Sequence, residues 1–284
     1  MTVDEHAGEL SLSAPRPARM PGAASAVLAL VRRDLAQRRI VKFAVAADLV
    51  FGALNLLVFE FIGRVLRDPA PGSVTRAGGY FSYASVGIAF FLVIQTATTS
   101  ITRQLREEQH SGTLELTVAQ PVGSGSLALG LAGFPFLFAT LRALIYLLLA
   151  AALGLGTSHA NWAGVLVVLA AAAPTMAAIG IVLAAAAVVA DRGDVLGRFA
   201  AFGLAFLSGA YFPVSELAPP VRALSAALPT RVALDGQRAA LAGAPWWPAA
   251  TALVIFDLAT LPVAVAIFAG SLRWARRHGR LTRG

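Results

Sequence analysis

The chain reads as an all-α integral membrane protein, and three observations lead there. Of its 284 residues, 57% are hydrophobic and only 13% charged, against about a quarter charged in an ordinary soluble domain. Mean hydropathy is +0.72. Several apolar runs exceed the roughly 20 residues a helix needs to cross a hydrocarbon layer about 30 Å thick, and within a bilayer a helix satisfies its own backbone polar groups.

The elements follow in order. Residues 1–22 are polar, with Pro15, Pro17 and Pro21 and no apolar core. A signal peptide needs an apolar stretch of about 7–15 residues, so this segment is expected to be a disordered cytosolic tail. Over 23–41, Val27, Leu28, Val31 and Leu35 alternate with Arg32, Arg33, Asp34, Arg38 and Arg39. Helical spacing gathers the apolar residues on one face. The segment suits an amphipathic interfacial helix before the first span; the plainer reading is a cytosolic extension of that span. Six transmembrane helices are predicted at 43–65, 80–101, 127–153, 162–190, 196–212 and 248–272. The fourth holds Pro174, where an irregular turn is tolerated if neighbours re-satisfy the backbone. A six-span transmembrane domain thus occupies 23–275, with a charged loop at 103–126, a proline-rich segment at 213–245, and a basic tail at 276–284.

Orientation comes from the basic residues. With the N-terminus inside, 16 of the 23 Lys and Arg fall on the cytosolic side and six on the other, Arg142 lying within a span. That asymmetry places the N- and C-termini in the cytosol, the 103–126 loop with them, and 213–245 outside. A net charge of +8 and a pI near 11.1 are accounted for by arginines that flank spans and meet anionic headgroups; no basic face interleaved with aromatics offers a nucleic-acid groove. With no cysteine, disulfides and thiol chemistry are excluded. The four histidines are scattered, and no metal site is expected. Lys42 is the single lysine and no Gly-Lys dipeptide occurs, so a phosphate-binding loop of the Gly-x-x-x-x-Gly-Lys-Ser/Thr type is excluded.

Two segments carry specific patterns. In 103–126, a polar run from Arg103 to His110 is broken at Ser111-Gly112 and resumes as a short semi-apolar helix ended by Pro121. Thr113 can cap that helix, and Glu115 in its first turn complements the helix dipole. Leu114, Leu116 and Val118 offer apolar surface, either to a partner's groove or as one face of a plain surface helix. In 213–245, Leu217, Val221, Leu224 and Leu228 recur at three-to-four spacing between prolines, which predicts a broken, re-entrant helical segment between spans five and six.

The string EEQHSGTLELTVAQPV resembles the signature of type 2 ABC transporter permeases: an acidic residue before Gly-Thr-Leu-Glu, an apolar stretch, then Pro. Glu107 or Glu108, Gly112, Thr113, Leu114, Glu115 and Pro121 match it. Gln109-His110-Ser111 stand where that family has a more basic run. After span five, Ser208, Gly209, Phe212, Pro213, Leu217, Pro219, Pro229 and Asp235 fill the places of the family's second pattern, with Glu216 in the same external segment. The resemblance covers about residues 24–275 and is closest to drug and natural-product exporters similar to the daunorubicin-resistance permeases.

The resemblance implies a plasma-membrane, multi-pass permease subunit of an ATP-driven exporter, with a role in multidrug efflux and antibiotic resistance. Its cargo would be an amphipathic or hydrophobic molecule: a drug, a natural product or a lipid-linked compound. The partners implied are an ABC ATPase subunit, a second permease copy or paralogue, and membrane lipids. The chain is not expected to be an enzyme and holds no cofactor, ATP and Mg being bound by the ATPase, whose motion enters through 103–121. Arg142 and Asp257 lie near the centres of spans three and six, where each charge costs roughly 2.5–3.5 kcal/mol. They are expected to form an intramembrane polar pair that lines the path or fixes helix packing. Two other classes fit a polytopic chain: a membrane enzyme acting on lipids, for which no converging carboxylates or histidines are found, and a secondary transporter, which leaves the 103–126 loop unexplained.

Overall fold

The computed structural model describes residues 41–65, 74, 79–110, 124–190 and 193–277, and every element among them is helical. The long helices are α1 (Val41–Val65), α2 (Tyr80–His110), α3 (Ser124–Ala152), α4 (Trp162–Ala190), α5 (Gly193–Ser208) and, after two short helices, α8 (Trp247–Arg277). The short ones are α6 (Pro219–Ala226) and α7 (Pro229–Leu241), preceded by a 3-10 turn over Val214–Glu216. Residues 1–40, with the polar tail and all but the last residue of the helix expected over 23–41, lie outside the described residues, as do 278–284 of the basic tail, whose first two residues end α8.

Four of the helices are long and apolar enough to cross a membrane: 80–104 of α2, 135–152 of α3, 162–189 of α4 and 247–275 of α8. The chain is therefore a multi-pass membrane protein. Helix α2 lies at its centre, packed against α1, α3, α4 and α5, while α8 runs along α4. The apolar stretch of α2 is 67% buried and that of α8 only 22%. The difference reflects environment rather than composition. Ile255, Leu258 and Val263 of α8 and Phe199 and Phe202 of α5 are apolar and exposed, the pattern of side chains that meet lipid tails rather than water.

Small residues set the helix spacing at the centre. A Cβ on Gly180 of α4 would lie 2.3 Å from the Ala97 carbonyl oxygen, and one on Gly197 of α5 would lie 2.4 Å from that of Thr98. Two helices thus approach consecutive residues of α2 at backbone distance, as small residues permit in membrane bundles. Pro174 sits inside α4 without interrupting it, so the helix is continuous across the one place where an irregular turn would be tolerated.

The fifth span departs from expectation. Its predicted range runs to residue 212, but α5 ends at Ser208. Gly209 takes φ +73°, the Gly209 amide donates to Phe206 O (3.1 Å), and the Ala210 amide donates to Ala205 O (3.1 Å). This is a Schellman termination, which requires a left-handed residue at its turn. The sixteen residues of α5 rise only about 24 Å, short of the hydrocarbon thickness. The chain then folds through α6 and α7 before α8 crosses.

Candidate functional site

At one end of the bundle the connection between α5 and α8 is built from local sequence rules. Pro219 and Pro220 open α6 and Pro229 opens α7, positions where the missing amide would have had no helical partner. Arg222 donates to the carbonyls of Ser215 (2.6 Å) and Leu217 (3.1 Å), which ties the 3-10 turn to α6. The Ser225 hydroxyl donates to Leu207 O (2.5 Å), and that of Ser208 to Thr230 Oγ1 (2.5 Å), so buried hydroxyls fasten α6 and α7 to the end of α5. Leu217 caps the 3-10 turn rather than joining a helix, and Leu224 is 56% exposed. Within 217–228 the helix is α6 alone, with Leu217 and Leu228 outside it, and Pro229 begins a second helix, α7. Pro213 is buried and Phe212 half-buried; Phe212 packs edge-on against Phe206, ring centroids 4.8 Å apart. Glu216 is exposed and accepts from the Ser215 hydroxyl (3.2 Å).

Arg238 is the centre of this end. Its Nη2 donates to Gly209 O (2.9 Å) and Tyr83 O (3.2 Å), and its guanidinium stacks on the Tyr83 ring, 3.5 Å from the centroid. The Tyr83 hydroxyl donates to the same Gly209 carbonyl (3.0 Å). Three elements, α2, the α5 terminus and α7, thus converge on one guanidinium. Burial pulls the Arg238 pKa below its ordinary range while Tyr83 and Asp235 oppose that pull, and from so high a starting point the group stays charged. Asp235 faces Arg231 (3.4 Å) and, at 4.0 Å, the buried Arg238; its own side chain is 57% exposed, so its pair with Arg231 is worth little by itself. Sequence reasoning counted Arg238 only as an external charge and missed its role.

The second feature is a cavity of about 470 Å³ between α1, α2 and α3. Asn55, Gln95, Arg142 and Tyr146 supply its polar lining, and the Tyr146 hydroxyl donates to Asn55 Oδ1 at 3.4 Å. Gly52 makes room for Tyr146, whose ring would lie 2.8 Å from a Cβ there. Phe91 and Tyr211 form an aromatic wall, centroids 6.0 Å apart, and the Arg142 guanidinium lies 6.0 Å from the Phe138 ring centre. Asn55 and Gln95 were overlooked in the sequence. The available signal was an amide-bearing residue in the middle of each of two apolar spans, where a polar side chain needs a partner.

Arg142 and Asp257 are not brought together. Asp257 accepts a hydrogen bond from the Thr175 hydroxyl of α4, while Arg142 lines the cavity between α1, α2 and α3, to which Asp257 does not contribute. The expected pair is therefore replaced by a Thr175–Asp257 contact between α4 and α8. The reason is packing: α8 lies chiefly along α4 and touches α3 far less. Thr175 also borders a second, almost wholly apolar cavity of about 440 Å³ between α4, α5, α7 and α8.

The remaining sequence-predicted residues belong to the charged loop. Glu107 and Glu108 fall on the last turns of α2, which runs on through His110. Gly112, Thr113, Leu114, Glu115 and Pro121 lie outside the described residues. Among the described residues no group of three or more His, Cys, Asp or Glu is placed to hold a metal.

Two comparisons with known proteins bear on this geometry. A family model described as ABC-2 type transporter matches residues 25–242, a range that takes in both the charged loop and the Arg238-centred end. No curated protein matches the chain.

Proposed function

We propose a function from one premise: the chain belongs to the ABC-2 type transporter family. As an ABC-type transport permease it is the membrane component of a transporter. In our reading it works as an exporter, moves an amphipathic or hydrophobic molecule, and draws its energy from a separate ATPase subunit bound at the cytosolic side, with a second permease copy or paralogue completing the path. The N- and C-termini and the 103–126 loop are cytosolic in this reading, six helices cross the membrane, the short α5 with local thinning of the bilayer around it, and the Arg238-centred end is external.

One observation supports the coupling most directly. Helix α2 is unbroken over 31 residues from Tyr80 to His110, a rise of about 46 Å. Its apolar part ends near residue 104, so its last turns project toward the loop that carries the family's signature. At its other end Tyr83 is held against Gly209 and Arg238. A continuous helix transmits displacement along its axis because each turn is fixed to the next by backbone hydrogen bonds. A push at 103–121 would therefore reach the external end through one rigid element. Such a helix catalyses nothing itself; ATP and Mg belong to the partner.

Copurification tests the reading. A tagged full-length chain extracted from its native membranes in mild detergent is expected to bring down an ATP-hydrolysing subunit in near-stoichiometric amount. Recovery of the chain with no ATPase, from membranes that contain its gene neighbours' products, contradicts it.

A further inference from the structure

The cavity between α1, α2 and α3 has chemistry that the transport reading does not use. Asn55 and Gln95 are exposed near the middle of α1 and α2, helices whose other faces are buried in protein or covered with apolar side chains. An exposed amide at that depth is unfavourable against hydrocarbon unless it faces a polar volume. Both face this cavity. The Arg142 guanidinium lines it as well; it has protein contacts of its own, but five N–H donors in a fixed fork leave capacity for a ligand beside them. Donors prevail in this set: the guanidinium is donor-only, and the amide groups of Asn55 and Gln95 each present an NH₂. The remaining walls are apolar, with the rings of Phe51, Phe91, Phe138 and Tyr211 set among aliphatic side chains such as Ile88 and Leu141.

We infer that this cavity is a recognition site for a planar or aromatic amphiphile bearing one oxyanion, a carboxylate, sulfonate or phosphate, with the acid against Arg142 and Gln95 and the ring system between the aromatic walls. The fit follows from each part. Guanidinium and oxyanion form charge-assisted hydrogen bonds that strengthen when water is scarce. Aromatic walls take a flat molecule by stacking at centroid distances of about 4.5–7 Å. A volume of about 470 Å³ lies in the range of sites for drug-sized molecules, and is too small to enclose a two-chain lipid. The inference rests on the transport reading only in naming the occupant as cargo; binding itself requires no ATPase.

The test uses the full chain in phosphatidylcholine nanodiscs, without ATPase or ATP, and two photoreactive probes of one skeleton: benzophenone-4-carboxylate and the uncharged 4-(hydroxymethyl)benzophenone. Crosslinked peptides are located by mass spectrometry. The carboxylate is expected to label segments 50–58, 88–95 and 138–146 about tenfold more than the alcohol, the ratio that one charge-assisted contact supplies. Arg142→Gln should bring the carboxylate down to the alcohol's level and leave the alcohol's labelling unchanged. Leu92→Trp, which fills the cavity, should reduce both. If Arg142→Gln fails to fold, Gln95→Leu serves, with a drop of about threefold expected for the loss of a neutral donor. Equal labelling by the two probes, labelling confined to the lipid-facing side of α8, or loss of carboxylate labelling when a third of the lipid is phosphatidylglycerol would each overturn the inference, the last by showing a lipid headgroup site. Absence of labelling from a chain that copurifies with its ATPase rejects the cavity alone; labelling of a chain that binds no ATPase rejects the transport reading and leaves the site.

Discussion

At the scale of single residues, the most consequential side chain is one that composition assigns to the surface. Arg238 bonds two backbone carbonyls on different elements and stacks on Tyr83, and hydrogen bonds from a charged donor contribute about 1.5–3 kcal/mol. Arg238→Ala is expected to lower stability by about 3 kcal/mol, read as a drop in the thermal unfolding midpoint in detergent. Arg238→Lys should recover less than half of it, because an ammonium reproduces neither the planar fork nor the stacking. A fully stable lysine variant would mean that charge alone holds this end. Asp257 gives a second prediction. Thr175→Val leaves its carboxylate without the one hydrogen-bond partner found among the described residues, and is expected to cost about 1–3 kcal/mol. Exchanging Arg142 and Asp257 should not rescue either single change, and rescue would restore the original pair. The sequence made both charges visible as intramembrane charges, yet could not say which helices face one another. Depth along a span is readable from residue counting. Rotation about its axis depends on contacts far away in the chain.

At the scale of elements, the helices were legible to within a few residues because runs of apolar side chains longer than the bilayer is thick admit one conformation. The exceptions are α2, which runs nine residues past its predicted end at 101 to His110, and α5, where a left-handed glycine at 209 ended the helix early. A Ser-Gly pair was noted in the sequence, but glycine inside an apolar run is common in membrane helices, and only the closing hydrogen bonds distinguish an end from a tolerated interior site. The same end explains a close approach that no local pattern reveals. A Cβ on Gly87 of α2 would lie 1.7 Å from the Ala210 carbonyl oxygen, a backbone atom with no rotamer to change. Gly87→Ala is therefore expected to destabilise by at least about 3 kcal/mol, the upper end for overpacking, despite alanine's better helix propensity. Gly270→Ala in α8, where nothing lies within 4 Å of the added carbon, should be neutral or slightly stabilising. Thermal unfolding of the two variants side by side checks the packing, and equal midpoints would show that α2 and the α5 terminus do not touch.

At the scale of the whole molecule, the architecture joins two family-matched segments that the sequence places about 90 residues apart through one helix. Both segments were legible as motifs, and the family match over residues 25–242 takes in both. Their mechanical relation was not legible, since it rests on α2 remaining helical beyond its apolar stretch to His110 and on Tyr83 meeting Gly209 across the chain. The central claim is that motion delivered at 103–121 reaches the external end along α2. The absence of native cysteine makes a single reporter possible at Ser215, an exposed residue of the 3-10 turn. Its exposure to a membrane-impermeant maleimide, in cells and in the copurified complex, is the most direct measurement. Ser215→Cys should react from outside intact cells, ATP should change its labelling rate at least about threefold in the complex, and two residues inserted between Ser111 and Gly112 should remove that ATP response while leaving abundance and basal labelling unchanged. Labelling only after the cells are opened would invert the topology. A rate indifferent to ATP, or an ATP response that survives the insertion in a well-expressed chain, would contradict transmission through α2.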